Sequence, residues 1–144
     1  MTIARQAFVT ICDDVRIEIS GKLIMIGVYT NHIIIPTEPF IAPQLVFNFY
    51  AESDINDPFT SVTFEVNLPQ QPIQRVDIPL GMPAKPVNPQ WTRWFVRQPM
   101  IVRPAILHFG RIDTKVIHDR GELEAGGAWI LSTPPPPPAP VPAA

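Results

Sequence analysis

Several features are scarce in this chain, and each scarcity excludes something. It has one cysteine, Cys12, in 144 residues, so no disulfide can form within it. That suits a reducing compartment such as the cytoplasm. Charged residues make up only 17 % while hydrophobic ones make up 46 %, which is too apolar for a disordered chain. No apolar run approaches the about 20 residues that a membrane helix needs. The longest, Leu23 to Val28, reads as a buried central strand. The opening MTIARQAFVTICDD has a short apolar stretch broken by Thr10 and ended by Asp13 and Asp14, unlike a secretory leader. A net charge of −2 gives no general attraction to nucleic acid or to an acidic membrane. The charge is unevenly spread, however. Residues 1–77 carry a net −5, and residues 78–112 carry Lys85, Arg93, Arg97, Arg103 and Arg111 with no acid at all.

Proline is abundant by contrast, at 19 residues, and excludes a mostly helical protein. What remains is dominated by period-two alternation. Ala7, Val9 and Ile11 alternate with Phe8, Thr10 and Cys12, and Val62, Phe64 and Val66 alternate with Thr63, Glu65 and Asn67. Such alternation is the mark of strands with one wet face. Gly21-Lys22, the SDINDP cluster at 53–58 and Asp119-Arg120-Gly121-Glu122 read as turns. Pro36, Pro39 and Pro43 bracket a loop, and residues 79–92 form the longest irregular piece. Trp94 to Phe109, interrupted by Pro99 and Pro104, reads as an edge or bulged strand.

The expected fold is all-β: a single antiparallel β-sandwich, immunoglobulin-like or C2-like, of about 7–9 strands with little helix. It spans residues 1–133. From Pro134 the composition changes to PPPPPAPVPAA, a stretch that cannot pack a core. Residues 134–144 are expected as a proline-rich tail, an extended polyproline II rod or a disordered end. A spacer or free end is preferred over a docking ligand, because no Arg or Lys flanks the tail to orient it.

The candidate sites are each weighed against a plainer reading. Asp13, Asp14, Asp54 and Asp57 lie in loops, as the calcium ligands of a C2-like calcium- or lipid-binding module do. Aspartate also favours turns for its own hydrogen bonds, and no regular ligand spacing is present. His108 and His118 flank a strand, but no H-x-x-x-H, C-x-x-C or G-x-S-x-G accompanies them. Cys12 sits among apolar neighbours, where a thiol is ordinarily inert packing. The chain is therefore read as no enzyme, with no cofactor and no metal. Trp91, Arg93, Trp94, Arg97 and Arg103 mix aromatic and basic side chains. Aromatics stack on bases and arginines meet phosphates, but the same residues anchor protein interfaces, and this reading ranks first. The expected partner is a protein or a second copy of the chain, with nucleic acid and membrane unlike its composition.

One pattern resembles a known family. Cys12-Asp13-Asp14-Val15-Arg16, then Gly21-Lys22, then Gly27-Val28-Tyr29 are similar to the opening of an uncharacterised bacterial family, a domain of unknown function. Pro43-Gln44-Leu45 and the Gly-Arg-Ile at Gly110 extend the resemblance over most of residues 8–131. It implies a small bacterial β-sandwich and carries no activity. The expectation is a non-catalytic protein-interaction or structural module of a bacterium, or a virion-associated structural protein.

Overall fold

The structure, a computed structural model, describes residues 3–81, 88–133 and 137–143. Eleven strands and no helix make up these residues: β1 (Gln6–Ile17), β2 (Leu23–Tyr29), β3 (His32–Ile34), β4 (Phe40–Ala42), β5 (Leu45–Asp54), β6 (Val62–Asn67), β7 (Gln74–Ile78), β8 (Arg93–Val102), β9 (Ala105–Leu107), β10 (Gly110–His118) and β11 (Gly121–Leu131). They form a four-stranded sheet in the order β2-β1-β5-β8, a five-stranded sheet in the order β3-β11-β10-β6-β7, and a two-stranded sheet of β4 and β9.

The alternation seen in the sequence builds the interior. Phe47 and Phe49 of β5 point to the core, as do Phe64 and Val66 of β6, and all four are fully buried. The Phe49 and Phe64 rings stack with centroids 4.5 Å apart and so join the two larger sheets face to face. Ile112 and Val116 of β10 and Ile130 of β11 complete the same cluster. Among the described residues no buried core residue lies beyond Ile130. Two glycines let the second sheet close. Its β10–β11 ladder shifts register between Thr114 and Lys115, at a bulge that includes Gly126. At the adjacent Gly127 a Cβ would fall onto the carbonyl oxygen of Ile112.

The fold is all-β and sandwich-like, but it departs from the expectation in three ways. The described residues hold eleven strands, not 7–9, because three-residue strands hide among the prolines: β4 within the Pro36–Pro43 loop and β9 directly after Pro104. The sheets are mixed, because β3 runs parallel to β11, pairing Trp129 with His32 and Leu131 with Ile34. A third small sheet also means that this is not a single sandwich. The segment Leu23 to Val28 is a further correction. It forms an edge strand, and its apolar side chains are largely exposed instead of buried. Hydrophobicity alone reads such a run as interior, and only strand order reveals an edge. The stretch Trp94 to Phe109, expected as one edge or bulged strand interrupted at Pro99 and Pro104, divides in two: β8 is an edge strand that runs unbroken through Pro99, and after Pro104 β9 belongs to the small sheet. Residues 82–87 of the irregular piece, with Lys85, lie outside the described residues, as do 134–136 and 144 of the tail.

Candidate interaction surfaces of the four-stranded sheet

The first surface is an arm. β1 pairs with β5 only from Gln6 to Cys12, ending at the pair Cys12 with Val46. Beyond that point Asp14 to Ile17 pair with β2 alone. The resulting two-stranded ribbon leaves Ile17 72 %, Ile24 41 %, Met25 40 %, Ile26 41 % and Val28 50 % exposed. A free two-stranded ribbon is marginal in water, so its root needs bracing. The bracing comes from Asp13, Asp14, Gly27, Tyr29 and Gln44. The Tyr29 hydroxyl donates to the Asp13 carboxylate. Burial, reinforced by that carboxylate, pushes the Tyr29 hydroxyl up to about 12. Gly27 has φ +67° and lies so close to Asp13 that a Cβ would collide with its carboxylate. Gln44 donates to the Asp13 carbonyl at 2.9 Å and to Asp14 Oδ1 at 3.0 Å, while its own oxygen accepts from Arg103. Cys12 is fully buried beside this knot, accepts from Asn48 Nδ2 at 3.2 Å, and has its thiol pushed up by burial. The knot is structural work.

The second surface is the outer face of the same sheet. Phe8 of β1 stands opposite Tyr50 of β5, and Tyr50 opposite Arg97 of β8. The Phe8 and Tyr50 rings lie 6.4 Å apart, and the Tyr50 and Phe95 rings stack at 5.9 Å. Arg97 sits over the Tyr50 ring at 5.4 Å. The row is held from beneath by Glu52, which is buried on this face. Glu52 accepts from Gln6, from the Tyr50 hydroxyl at 3.0 Å and from Arg93. Burial and the Glu52 carboxylate both raise the Tyr50 hydroxyl above its ordinary value. At one end of the row a shallow apolar cleft of about 300 Å³ opens between Trp91 and Phe95. At the other, a groove of about 420 Å³ separates Thr10, Asn48 and Tyr50 from the arm's Lys22 and Met25.

The five residues expected to form one patch are divided by this geometry. Arg93 and Arg97 share the outer face, and Trp91 lies beside Phe95. Trp94 is on the opposite face, and its indole N–H donates to the Ile55 carbonyl at 2.8 Å. Arg103 is at the far end of the strand, on the order of 30 Å from Arg93 by strand rise, and belongs to the Gln44 knot. Sequence reasoning missed Phe8, Tyr50 and the exposed arm. The signal for Phe8 was present in the alternation of β1, which sets it on the face opposite Val9. Nothing local in the sequence says that β5 and β8 bring Tyr50 and Phe95 beside it.

The other candidates are also separated. The register of β1 on β5 puts Asp13 and Asp14 at one end of the sheet and Asp54 and Asp57 at the other, about 30 Å away by strand rise. Asp54 is taken up by the backbone N–H groups of Ile3 and Asn56, which hold its carboxyl below the usual range. Among the described residues no group of three or more acid, His or Cys side chains gathers as a metal would require. His108 pairs with Glu38 at 3.1 Å, and His118 stands at the opposite end of β10. His118 Nδ1 accepts from Arg5 at 2.9 Å, and Arg5 also pairs with Asp119 at 2.9 Å and lies 4.6 Å over the Phe59 ring.

No family of known proteins, no curated protein and no solved structure matches this chain. Among the described residues no helix is long and apolar enough to cross a membrane.

Proposed function

We propose that the chain is a non-catalytic structural module that associates with a second copy of itself through the free edge of β2. The observation that carries this reading is how the four outer edges of the two larger sheets differ. Edge strands invite pairing with other chains, and proteins ordinarily blunt them with charge, proline or shortness. β3 has only three residues, β7 carries Arg75 and Asp77, and β8 carries Arg93, Arg97 and Pro99. β2, Leu-Ile-Met-Ile-Gly-Val-Tyr, has no charge and no proline. Its only irregularity is the kink at Gly27, so the regular free edge is Leu23 to Ile26.

A second copy suits this edge. Antiparallel pairing about a two-fold axis sets Ile24 against Met25 and Leu23 against Ile26 of the other copy, and no like charges face each other. The reading is that of a sandwich-type module, immunoglobulin-like or C2-like in general character, working in the cytoplasm of a bacterium. Self-association equally suits a component of a virion. The test is solution mass by light scattering over a concentration series. The full chain is expected to be dimeric and Ile26→Lys a folded monomer, because Ile26 is 41 % exposed, with the parent's melting temperature rising with concentration and the variant's constant. A parent chain that stays monomeric throughout overturns the reading.

A further inference from the structure

At the end of the two larger sheets opposite Asp13 and Asp14, one arginine ties three segments together. We propose that Arg5 and His118 form an acid-released latch. Protonation of His118 unseats Arg5 and frees the N-terminal segment Ile3–Arg5 from the β5–β6 loop and the β10–β11 turn, while both sheets stay folded.

The chemistry of the contact carries this inference. His118 Nδ1 accepts two hydrogen bonds, from Arg5 Nη1 at 2.9 Å and from the Arg120 backbone N–H at 3.3 Å. A guanidinium has only donors and keeps its proton, so Nδ1 must hold a lone pair. The neutral ring therefore carries its hydrogen on Nε2, and Nδ1 is the only place for a second proton. An imidazolium has a donor at each nitrogen and no acceptor, so no turn of the ring restores the bond to Arg5. The charges act in the same direction. Those facing the ring are Arg5, Arg120, Asp57 and Asp119, which sum to zero. A proton on His118 leaves one positive charge in excess. The imidazolium also competes for Asp119, which Arg5 holds at 2.9 Å through the same Nη1.

The setting of Arg5 makes the latch releasable. Its side chain is only 7 % exposed and lies 4.6 Å over the Phe59 ring. Its Nη2 donates to the Pro58 carbonyl at 3.1 Å and more loosely to Asp57 Oδ1 at 3.4 Å. Among the described residues its buried Nε has no hydrogen-bond partner, and neither has the buried Ser53 Oγ. Ser53 follows Glu52, the partner of Gln6 in the β1–β5 ladder, so it lies beside Arg5. A buried donor without a partner is costly, so the guanidinium keeps its place through its bonds to the loop and the turn. Ahead of Arg5, the Ile3 N–H donates to Asp54 Oδ2 at 2.9 Å. Asp119 is held at about 2 and Asp54 below its ordinary value, so both stay ionised while His118 titrates. Burial and then the Arg5 charge lower His118, which sets release below about pH 6.5.

The experiment is an NMR titration of the full chain between about pH 7.5 and 4.5, following the His118 ring nitrogens and the backbone amides. The Ile3 amide is expected to move to its unfolded position with the midpoint of the His118 ring, while the amides of Phe47, Phe49 and Ile112 stay in place. His118→Gln offers Arg5 an acceptor that does not titrate, so its Ile3 amide should not move over this range. If that variant does not fold, Arg5→Met takes its place. Without the guanidinium against Nδ1, the His118 midpoint should rise toward about 6.5. An Ile3 amide that holds its position through the His118 midpoint, that moves equally in a folded His118→Gln chain, or that moves only as the whole chain unfolds would each overturn the proposal. So would a His118 midpoint unchanged by Arg5→Met.

Discussion

Residues near the N-terminus and at the β10–β11 turn make stability depend on pH through identifiable groups. Burial tends to raise the Asp119 carboxyl, but Arg5 and the Thr60 N–H outweigh it and hold it at about 2. A carboxyl held below its unfolded value stabilises the fold above about pH 4 and loses that contribution as pH falls toward 2. His118 shifts the opposite way for a base: burial, then the Arg5 charge, lower it below its ordinary value. The unfolded chain therefore takes up the proton first, and stability declines as pH falls below about 6.5. Urea midpoints measured from pH 7.5 to 3 should fall in two stages, one below 6.5 and one below 4. His118→Gln should remove the upper stage and keep the lower. A single stage confined to pH below 4 in the parent chain would show that His118 carries no such linkage. At Tyr29, replacement by Phe removes a hydrogen bond to a carboxylate, a change of about 1.5–3 kcal/mol for such bonds. Denaturant titration should place Tyr29→Phe in that range.

Elements explain which parts of the structure were legible beforehand. β6 was plain because Val62, Phe64 and Val66 alternate without interruption and all three are buried. The β10–β11 hairpin was plain because Asp119-Arg120 precedes a glycine at φ +147°. β4 and β9 were hidden by the rule that proline interrupts a ladder. They escape it because each is three residues long and begins after its proline. β2 was misjudged because side-chain apolarity does not reveal whether anything packs over the strand, and β2 packs chiefly on β1. Its neighbour on one side is β1 and, among the described residues, it has none on the other. The expected patch is divided for a related reason. Trp91, Arg93, Trp94, Arg97 and Arg103 are close in sequence, but a strand alternates faces and extends about 3.3 Å per residue, so it separates them. The arm should also be the least stable element. Gly27→Ala would strain the left-handed backbone there and push on Asp13, loosening the Tyr29 knot. Amide exchange in Asp13–Gly27 should accelerate while that of β5 and β10 stays slow, since local openings track local packing. Uniform acceleration of all strands would mean that the arm is no separate unit.

Across the whole molecule, the two sheets are joined by a small number of large side chains. Phe47, Phe49 and Phe64 have no exposed surface, and Phe49 stacks on Phe64. Phe64→Ala should cost about 3–5 kcal/mol, the usual result of emptying a buried aromatic site. Chemical denaturation should show that loss, and a change below 1 kcal/mol would deny the stack its place in the core. The outside of the molecule follows a different logic. Many of the exposed apolar and aromatic side chains lie on the four-stranded sheet, at the β2 edge and along the Phe8–Tyr50–Phe95 row, while others, such as Ile41, Phe109 and Trp129, stand elsewhere. Exposed apolar groups concentrated in this way mark interaction surfaces more than chance scatter does. The most direct measurement on the central claim is residue-resolved hydrogen exchange of the full chain at a low and a high concentration. The account predicts that the amides of Leu23 to Ile26 pointing away from β1 become protected only at the high concentration, while exchange along β7 is unchanged. Equal exchange at Leu23 to Ile26 at both concentrations, alongside a rising solution mass, would contradict pairing through β2.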